Sequence, residues 1–151
     1  MIDWGALETP LDEKPLFPVQ EPDGRKNEAE LPRCVMFLRL MRTFAPRCIV
    51  YANSNAGRRN PLQARREGIV AGVFDYTVVW TPESHLLIAG VAWVEMKGYS
   101  KAGTAGKLSQ AQIDFGNALH RAGHLCAAFF DPVAAVNWLR SIGAPVREVV
   151  G

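Results

Sequence analysis

Leu86-Leu87-Ile88-Ala89-Gly90-Val91-Ala92-Trp93-Val94 runs without a break into Glu95-Met96-Lys97. The nine apolar positions read as an interior strand, too short for a buried helix. A carboxylate and an ammonium at the tip of such a strand do not suit a core, because burying charge without partners is costly. Asp75, twenty residues upstream, adds a second carboxylate in an apolar setting. A divalent metal is the partner that best accounts for this placement.

Working outward, Ile69 to Trp80 reads as a strand paired with Leu86 to Lys97, and Pro82-Glu83-Ser84 as the turn of an antiparallel hairpin. Cys48-Ile49-Val50-Tyr51 forms a shorter strand within 47–52. Ahead of it a helix starts at Glu28 or Leu31 and ends at Thr43, with Pro32 in its first turn and Leu31, Val35, Leu38 and Met41 at helical spacing beside Phe37. Residues 53–68 read as a polar, basic loop with room for a helical turn. Gly98 to Lys107 is glycine-rich and expected to be mobile. Ser109 and Gln112 make a capping-box pattern for a helix over 109–122, Leu108 and Ile113 a hydrophobic staple, and Gly123 its C-terminal stop. Leu125 to Phe130 is a buried strand, and Asp131-Pro132 opens a last helix that ends near Gly143. The order α-β-β-β-α-β-α predicts an α/β (α+β) fold with a mixed central sheet flanked by helices. Residues 1–27, with Pro10, Pro15, Pro18 and Pro22, read as an extended N-terminal arm before a single domain over 28–151.

Composition narrows the classes. The chain has 151 residues, 48% hydrophobic and 21% charged, which suits one folded domain and excludes a disordered chain. No apolar run reaches the length of a membrane span, and no targeting segment is expected. Cys34, Cys48 and Cys126 lie far apart without metal-ligand spacing, so they read as reduced thiols of a cytoplasmic protein. Residues 1–31 carry three basic and eight acidic side chains, and the remainder fourteen basic and seven acidic, so an overall +2 divides into −5 and +7. A basic body behind an acidic leader suits an anionic partner, and equally an ordinary solvated surface.

The spacing Glu-x-Lys alone means little, since a chain of this size shows roughly half an occurrence by chance, and Asp12-Glu13-Lys14 repeats it in the arm. Its position gives it content. Side chains alternate along a strand, so Glu95 and Lys97 share a face and Met96 points away, leaving its carbonyl free to turn to the site. Two carboxylates and a carbonyl are hard oxygen donors suited to Mg²⁺ or Mn²⁺ rather than zinc. A lysine beside them can orient water or offset charge on a phosphate. His85, His120 and His124 show no partner spacing and read as structural.

The chain resembles the virus-type replication-repair nuclease (VRR-NUC) family of the PD-(D/E)xK nuclease superfamily over residues 28–142. The resemblance rests on Asn53-Ser54-Asn55-Ala56-Gly57-Arg58-Arg59, Gly72-Val73-Phe74-Asp75, Glu95-Met96-Lys97, Gly106-Lys107-Leu108-Ser109-Gln110-Ala111-Gln112 and Gly123, in that order. It implies a restriction-endonuclease-like αβββαβ core. Asp75, Glu95 and the Met96 carbonyl would hold Mg²⁺ or Mn²⁺, Lys97 would be the catalytic lysine, and Gln112 would support the site from its helix. An acidic residue on the first helix is implied too, with Glu28 the first choice and Glu30 the second. Asn53, Asn55, Arg58, Arg59, Lys101 and Lys107 would contact DNA, with Arg65 and Arg66 as further phosphate contacts. Two positions depart from the pattern: Phe74 stands where the family has proline, and a helix glutamine is replaced near Pro32.

The implied activity is metal-dependent hydrolysis of phosphodiester bonds by a homodimeric, structure-specific endonuclease acting on branched DNA such as four-way (Holliday) junctions. The alternatives are a DNA-binding module of the same fold without catalysis, and a nuclease preferring flaps or linear duplex.

Overall fold

The computed structural model describes residues 13–53, 60–81 and 89–148. The expected turn at Pro82-Glu83-Ser84, His85, the Leu86-Leu87-Ile88 start of the expected strand, the whole Ser54 to Arg59 stretch of the loop, the first twelve residues and the last three lie outside the described residues. Among the described residues, four helices and four strands follow in the order α1 (Glu30–Phe44), β1 (Cys48–Ala52), α2 (Pro61–Arg66), β2 (Tyr76–Trp80), β3 (Gly90–Met96), α3 (Gln110–Arg121), β4 (Leu125–Phe129) and α4 (Pro132–Ser141). The fold is therefore mixed α and β. No described helix is long and apolar enough to cross a membrane.

One sheet runs in the order β1-β2-β3-β4. The pairs β1–β2 and β2–β3 are antiparallel, with Tyr76 opposite Val94 and Trp80 opposite Gly90, while β3–β4 is parallel, with Glu95 opposite Ala128. The parallel pair requires the crossover that α3 supplies. Alternation along the strands splits the core in two. Tyr76, Val78, Trp80, Ala92, Val94, Met96, Ala127 and Phe129 pack with Phe37 and Met41 of α1 and Leu139 of α4. On the opposite face, Phe74, Cys126 and Ala128 pack with Phe17, Trp93 and Phe115.

Local chemistry explains the helix ends. Ser109 and Gln112 form the capping box, Gly123 follows α3 at φ 83°, and the Asp131 side chain accepts from the Val133 N–H at the start of α4. Three expectations are corrected. Strand β2 begins at Tyr76, because Gly68 and Gly72 turn the chain at φ 73° and 77°. Helix α1 turns Arg33, Cys34, Phe37 and Met41 inward, whereas Leu31 is 72% exposed and Val35 49%. The segment 98–107 is tied down, not loose: Tyr99 bridges Ala105, and the Gly106 N–H donates to the Gly98 carbonyl (2.8 Å).

The described part of the acidic leader is laid along the outer edge of β4. The Ala128 N–H donates to the Pro18 carbonyl (3.0 Å), and the Gln20 N–H donates to the Ala128 carbonyl (2.9 Å). Gln20 Oε1 accepts from the N–H groups of Phe130 and Asp131. Phe17 is buried against Phe74, with ring centroids 5.4 Å apart. Residues 17–20 thus cover backbone groups that an edge strand would leave open.

Candidate metal centre

Strand β3 delivers the first components. Glu95, on the face opposite Met96, is buried, and Lys97 follows two positions on, its Nζ 2.8 Å from Glu95 Oε1. The Lys97 N–H donates to the Phe129 carbonyl (2.8 Å), which fixes its backbone to the end of β4. Asp75 stands one residue before β2, a position earlier than the strand interior expected for it. Two bonds knit it to Glu95. The Asp75 N–H donates to Glu95 Oε2 (3.0 Å), and the Met96 N–H donates to Asp75 Oδ2 (2.9 Å).

Gln112 reaches Glu95 from α3. Its Nε2 donates to Glu95 Oε1 at 2.5 Å, and its Oε1 accepts from the Ser109 N–H at 3.0 Å. Capping the helix and supporting the site are one arrangement of a single amide. The approach of α3 depends on Gly72, where a Cβ would lie 2.2 Å from the backbone of Ala111.

Helix α1 supplies a third carboxylate. One oxygen from each of Glu30, Asp75 and Glu95 lies within 4.8 Å of the others. This corrects the choice of Glu28. The Glu28 carboxylate faces Arg33 (3.6 Å) and Arg25 (3.7 Å), and it is the Glu28 carbonyl that meets the site's framework, accepting from the Tyr99 N–H (3.0 Å). Gly98 allows the close approach, since a Cβ there would lie 2.4 Å from the Glu30 nitrogen.

The electrostatics of the cluster are unbalanced. Three carboxylates face one ammonium, Lys97. Burial pushes the Glu95 carboxyl up to about 7, and the charge of Asp75 pushes the same way against Lys97. Burial also raises Asp75, opposed by the Met96 N–H and by Lys97. Burial raises Glu30, with Lys97 opposing and Asp75 adding. Carboxyls that resist ionisation, chiefly because burial disfavours their charge and for Glu95 and Glu30 also because Asp75 stands beside them, are what a divalent ion relieves. The donor atoms are all oxygen, which fits Mg²⁺ or Mn²⁺.

The remaining expected residues divide. Asn53, expected at DNA, is half-buried and holds the backbone at Asp75: its Nδ2 donates to the Phe74 carbonyl (2.9 Å) and its N–H to the Asp75 carbonyl (2.8 Å). Its amide also bonds Thr77 Oγ1. Phe74, where the resemblance leads one to expect proline, is fully buried between Phe17 and Phe115. Lys101 and Lys107 are exposed on the loop after β3, without an acidic partner among the described residues, and Arg65 and Arg66 are exposed on α2. Asn55, Arg58 and Arg59 lie outside the described residues. His120 is exposed, and the His124 ring stands edge-on to Trp93 at 5.6 Å.

Arg33 is the residue that sequence reasoning missed. It is 2% exposed on α1, one turn after Glu30. The available signal was an arginine in phase with Cys34, Phe37 and Met41. Set beside known proteins, the chain matches no family model, no curated protein and no solved structure.

Proposed function

We propose that the protein is a metal-dependent DNA endonuclease with a restriction-endonuclease-like core, similar to the VRR-NUC family, and that it acts on branched DNA such as four-way junctions. The observation that carries the reading is the meeting of Glu30, Asp75 and Glu95 within 4.8 Å, with Lys97 on the same face of the strand end. The order α1-β1-β2-β3-α3-β4, with only the short α2 inserted, agrees with the αβββαβ core that the resemblance implies.

Mg²⁺ or Mn²⁺ bound there would supply Lewis acidity at a scissile phosphate and a water of lowered pKa. Asp75, Glu95 and Glu30 would hold it, and the Met96 carbonyl would complete the oxygen set. Gln112 keeps Glu95 turned into the site. Lys97, 2.8 Å from Glu95 Oε1, would orient the attacking water and offset charge on the phosphate. As in the superfamily it resembles, the cut would leave a 5′-phosphate.

Lys101, Lys107, Arg65 and Arg66 are suited to the phosphate backbone, which positions a duplex without reading its sequence. Paired cuts on a two-fold substrate need two sites related by a two-fold axis, so a homodimer is the matching assembly.

The test is cleavage of end-labelled four-way junction, flap and linear duplex of matched sequence by the wild-type protein and Lys97→Ala. Each is run in Mg²⁺, Mn²⁺ and EDTA. Paired, metal-dependent nicks in the junction that vanish in the variant are expected. Binding without cutting in any metal would instead favour a DNA-binding module.

A further inference from the structure

A buried arginine on the helix that carries Glu30 has no part in the chemistry above. Its side chain is 1% exposed. Nε donates to the Glu28 carbonyl (3.3 Å), Nη2 to the Arg25 carbonyl (3.0 Å), and Nη1 to the Phe130 carbonyl (2.8 Å) and to Asp23 Oδ2 (2.6 Å). The guanidinium also lies over the rings of Tyr99 (5.6 Å) and Phe130 (5.9 Å). Replacing such a buried ionic group with packed apolar residues is often neutral or stabilising, so global stability is a weak reason for its presence. What the fork accomplishes is local. It fixes four chain segments to one another with a rigid set of donors.

Three of those segments run on into the residues of the carboxylate cluster. Glu28 and Arg25 lead into α1, where Glu30 stands in the first turn. Phe130 follows Phe129, whose carbonyl receives the Lys97 N–H. Tyr99 lies two residues beyond Lys97, its N–H donates to the Glu28 carbonyl that Arg33 also uses, and its hydroxyl accepts from the Gly24 N–H (3.0 Å). Asp23 belongs to the N-terminal segment laid beside β4. Burial disfavours its ionisation, but the bonds from Arg33 and Arg25 more than offset this and hold the carboxyl below its usual range. The Asp23–Arg33 pair is therefore charged, short and shielded, the kind of pair with enough strength to set a backbone path.

We infer that Arg33, anchored by Asp23, is a positioning residue of the metal centre, and that residues 23–28 belong to that centre because they hold Glu30 against Asp75 and Glu95. The inference rests on the metal reading above and assigns residues 23–28 a task beyond packing. Outer partners of metal ligands act by fixing their orientation, and their loss typically weakens binding about 10–100-fold.

The experiment is a double-mutant cycle on Mn²⁺ affinity, read from the electron paramagnetic resonance signal of free Mn²⁺. It uses the full chain as wild type, Asp23→Asn, Glu30→Gln and the double variant. Asp23→Asn leaves a neutral acceptor of the same shape and keeps the buried Arg33 in place, a milder change than removing the guanidinium. The expected result is about tenfold weaker binding in Asp23→Asn and no further weakening when the same change is added to Glu30→Gln. An equal loss in both backgrounds would reduce the pair to general stability and overturn the inference. Unchanged affinity in Asp23→Asn would overturn it as well, while leaving the metal centre intact. If the wild-type protein bound no Mn²⁺, the metal reading itself would fall, and this inference with it.

Discussion

Gln112 donates its side-chain amide to Glu95 Oε1, and it can do so in one orientation only, because its own carbonyl oxygen is held by the Ser109 N–H. The cap of α3 thus sets which end of the amide faces the carboxylate cluster. Gln112→Ala removes both bonds. Losing a capping-box partner costs roughly 1 kcal/mol, and losing the partner of a metal ligand costs about 10–100-fold in affinity or activity. The expected outcome is a small drop in urea midpoint beside a large drop in Mg²⁺-dependent cleavage. A loss of activity no greater than the loss of folded protein would contradict the role given to Gln112.

Glu30 and Glu28 offer a sharper comparison, because the two side chains are of one type and two positions apart. Glu30 belongs to the cluster with Asp75 and Glu95, and Glu28 is turned to Arg25 and Arg33. Glu30→Gln should weaken Mn²⁺ binding by at least tenfold, the scale of an outer partner's loss. Glu28→Gln should change it by less than about threefold, as its pairs are partly exposed and of small worth. Calorimetric titration of the two variants decides the assignment. The reverse order would move the third ligand back to Glu28.

Parts of this arrangement are readable in the amino-acid order, and parts are not, for physical reasons. Glu95 and Lys97 stand out because charge at the end of an apolar run is anomalous, and Ser109 with Gln112 because a capping box is a local pattern. The inward face of α1 is harder. Apolar residues occur on most of its sides, so Leu31 and Val35 look as suitable as Cys34 and Phe37, and only packing chooses. Arg33 is hidden for a similar reason, since arginine is ordinarily a surface residue. Its partners Asp23 and Phe130 are far apart in sequence. The seat of Phe17 against Phe74 is equally non-local, and prolines around it read as an arm until β4 is in place.

The pH dependence follows from Glu95. Its carboxyl is raised from 4.5 to about 7, first by burial and then by Asp75. Between those two values the folded, metal-free protein holds a proton that the unfolded chain has released. Stability of the metal-free protein therefore falls as pH rises from about 5 to 8, by on the order of 2 kcal/mol. Metal binding needs the ionised carboxylate, so affinity for Mg²⁺ rises over the same interval. Urea midpoints at pH 5 and pH 8 should show the metal-free protein weaker at pH 8 and the gain from Mg²⁺ larger there. A metal-free protein that became more stable toward pH 8 would mean that Glu95 is ionised well below 7.

Gly116 tests whether the N-terminal segment is seated as described. A Cβ at this position of α3 would lie 2.2 Å from the Phe17 ring, too close for any real contact. Gly116→Ala must push Phe17 off its seat beside Phe74, even though alanine favours the helix itself by up to about 1 kcal/mol. Overpacking of a core typically costs 1–3 kcal/mol, so a net loss of about 1–2 kcal/mol is expected. Phe17→Leu alone should also destabilise, because it leaves space against Phe74 and Cys126. In combination the smaller side chain makes room for the new methyl group, and the pair should cost less than the sum of the two changes, as expected for residues in contact. Chemical denaturation of the four proteins measures this coupling directly. Simple additivity would show that Phe17 does not rest on Gly116 in solution.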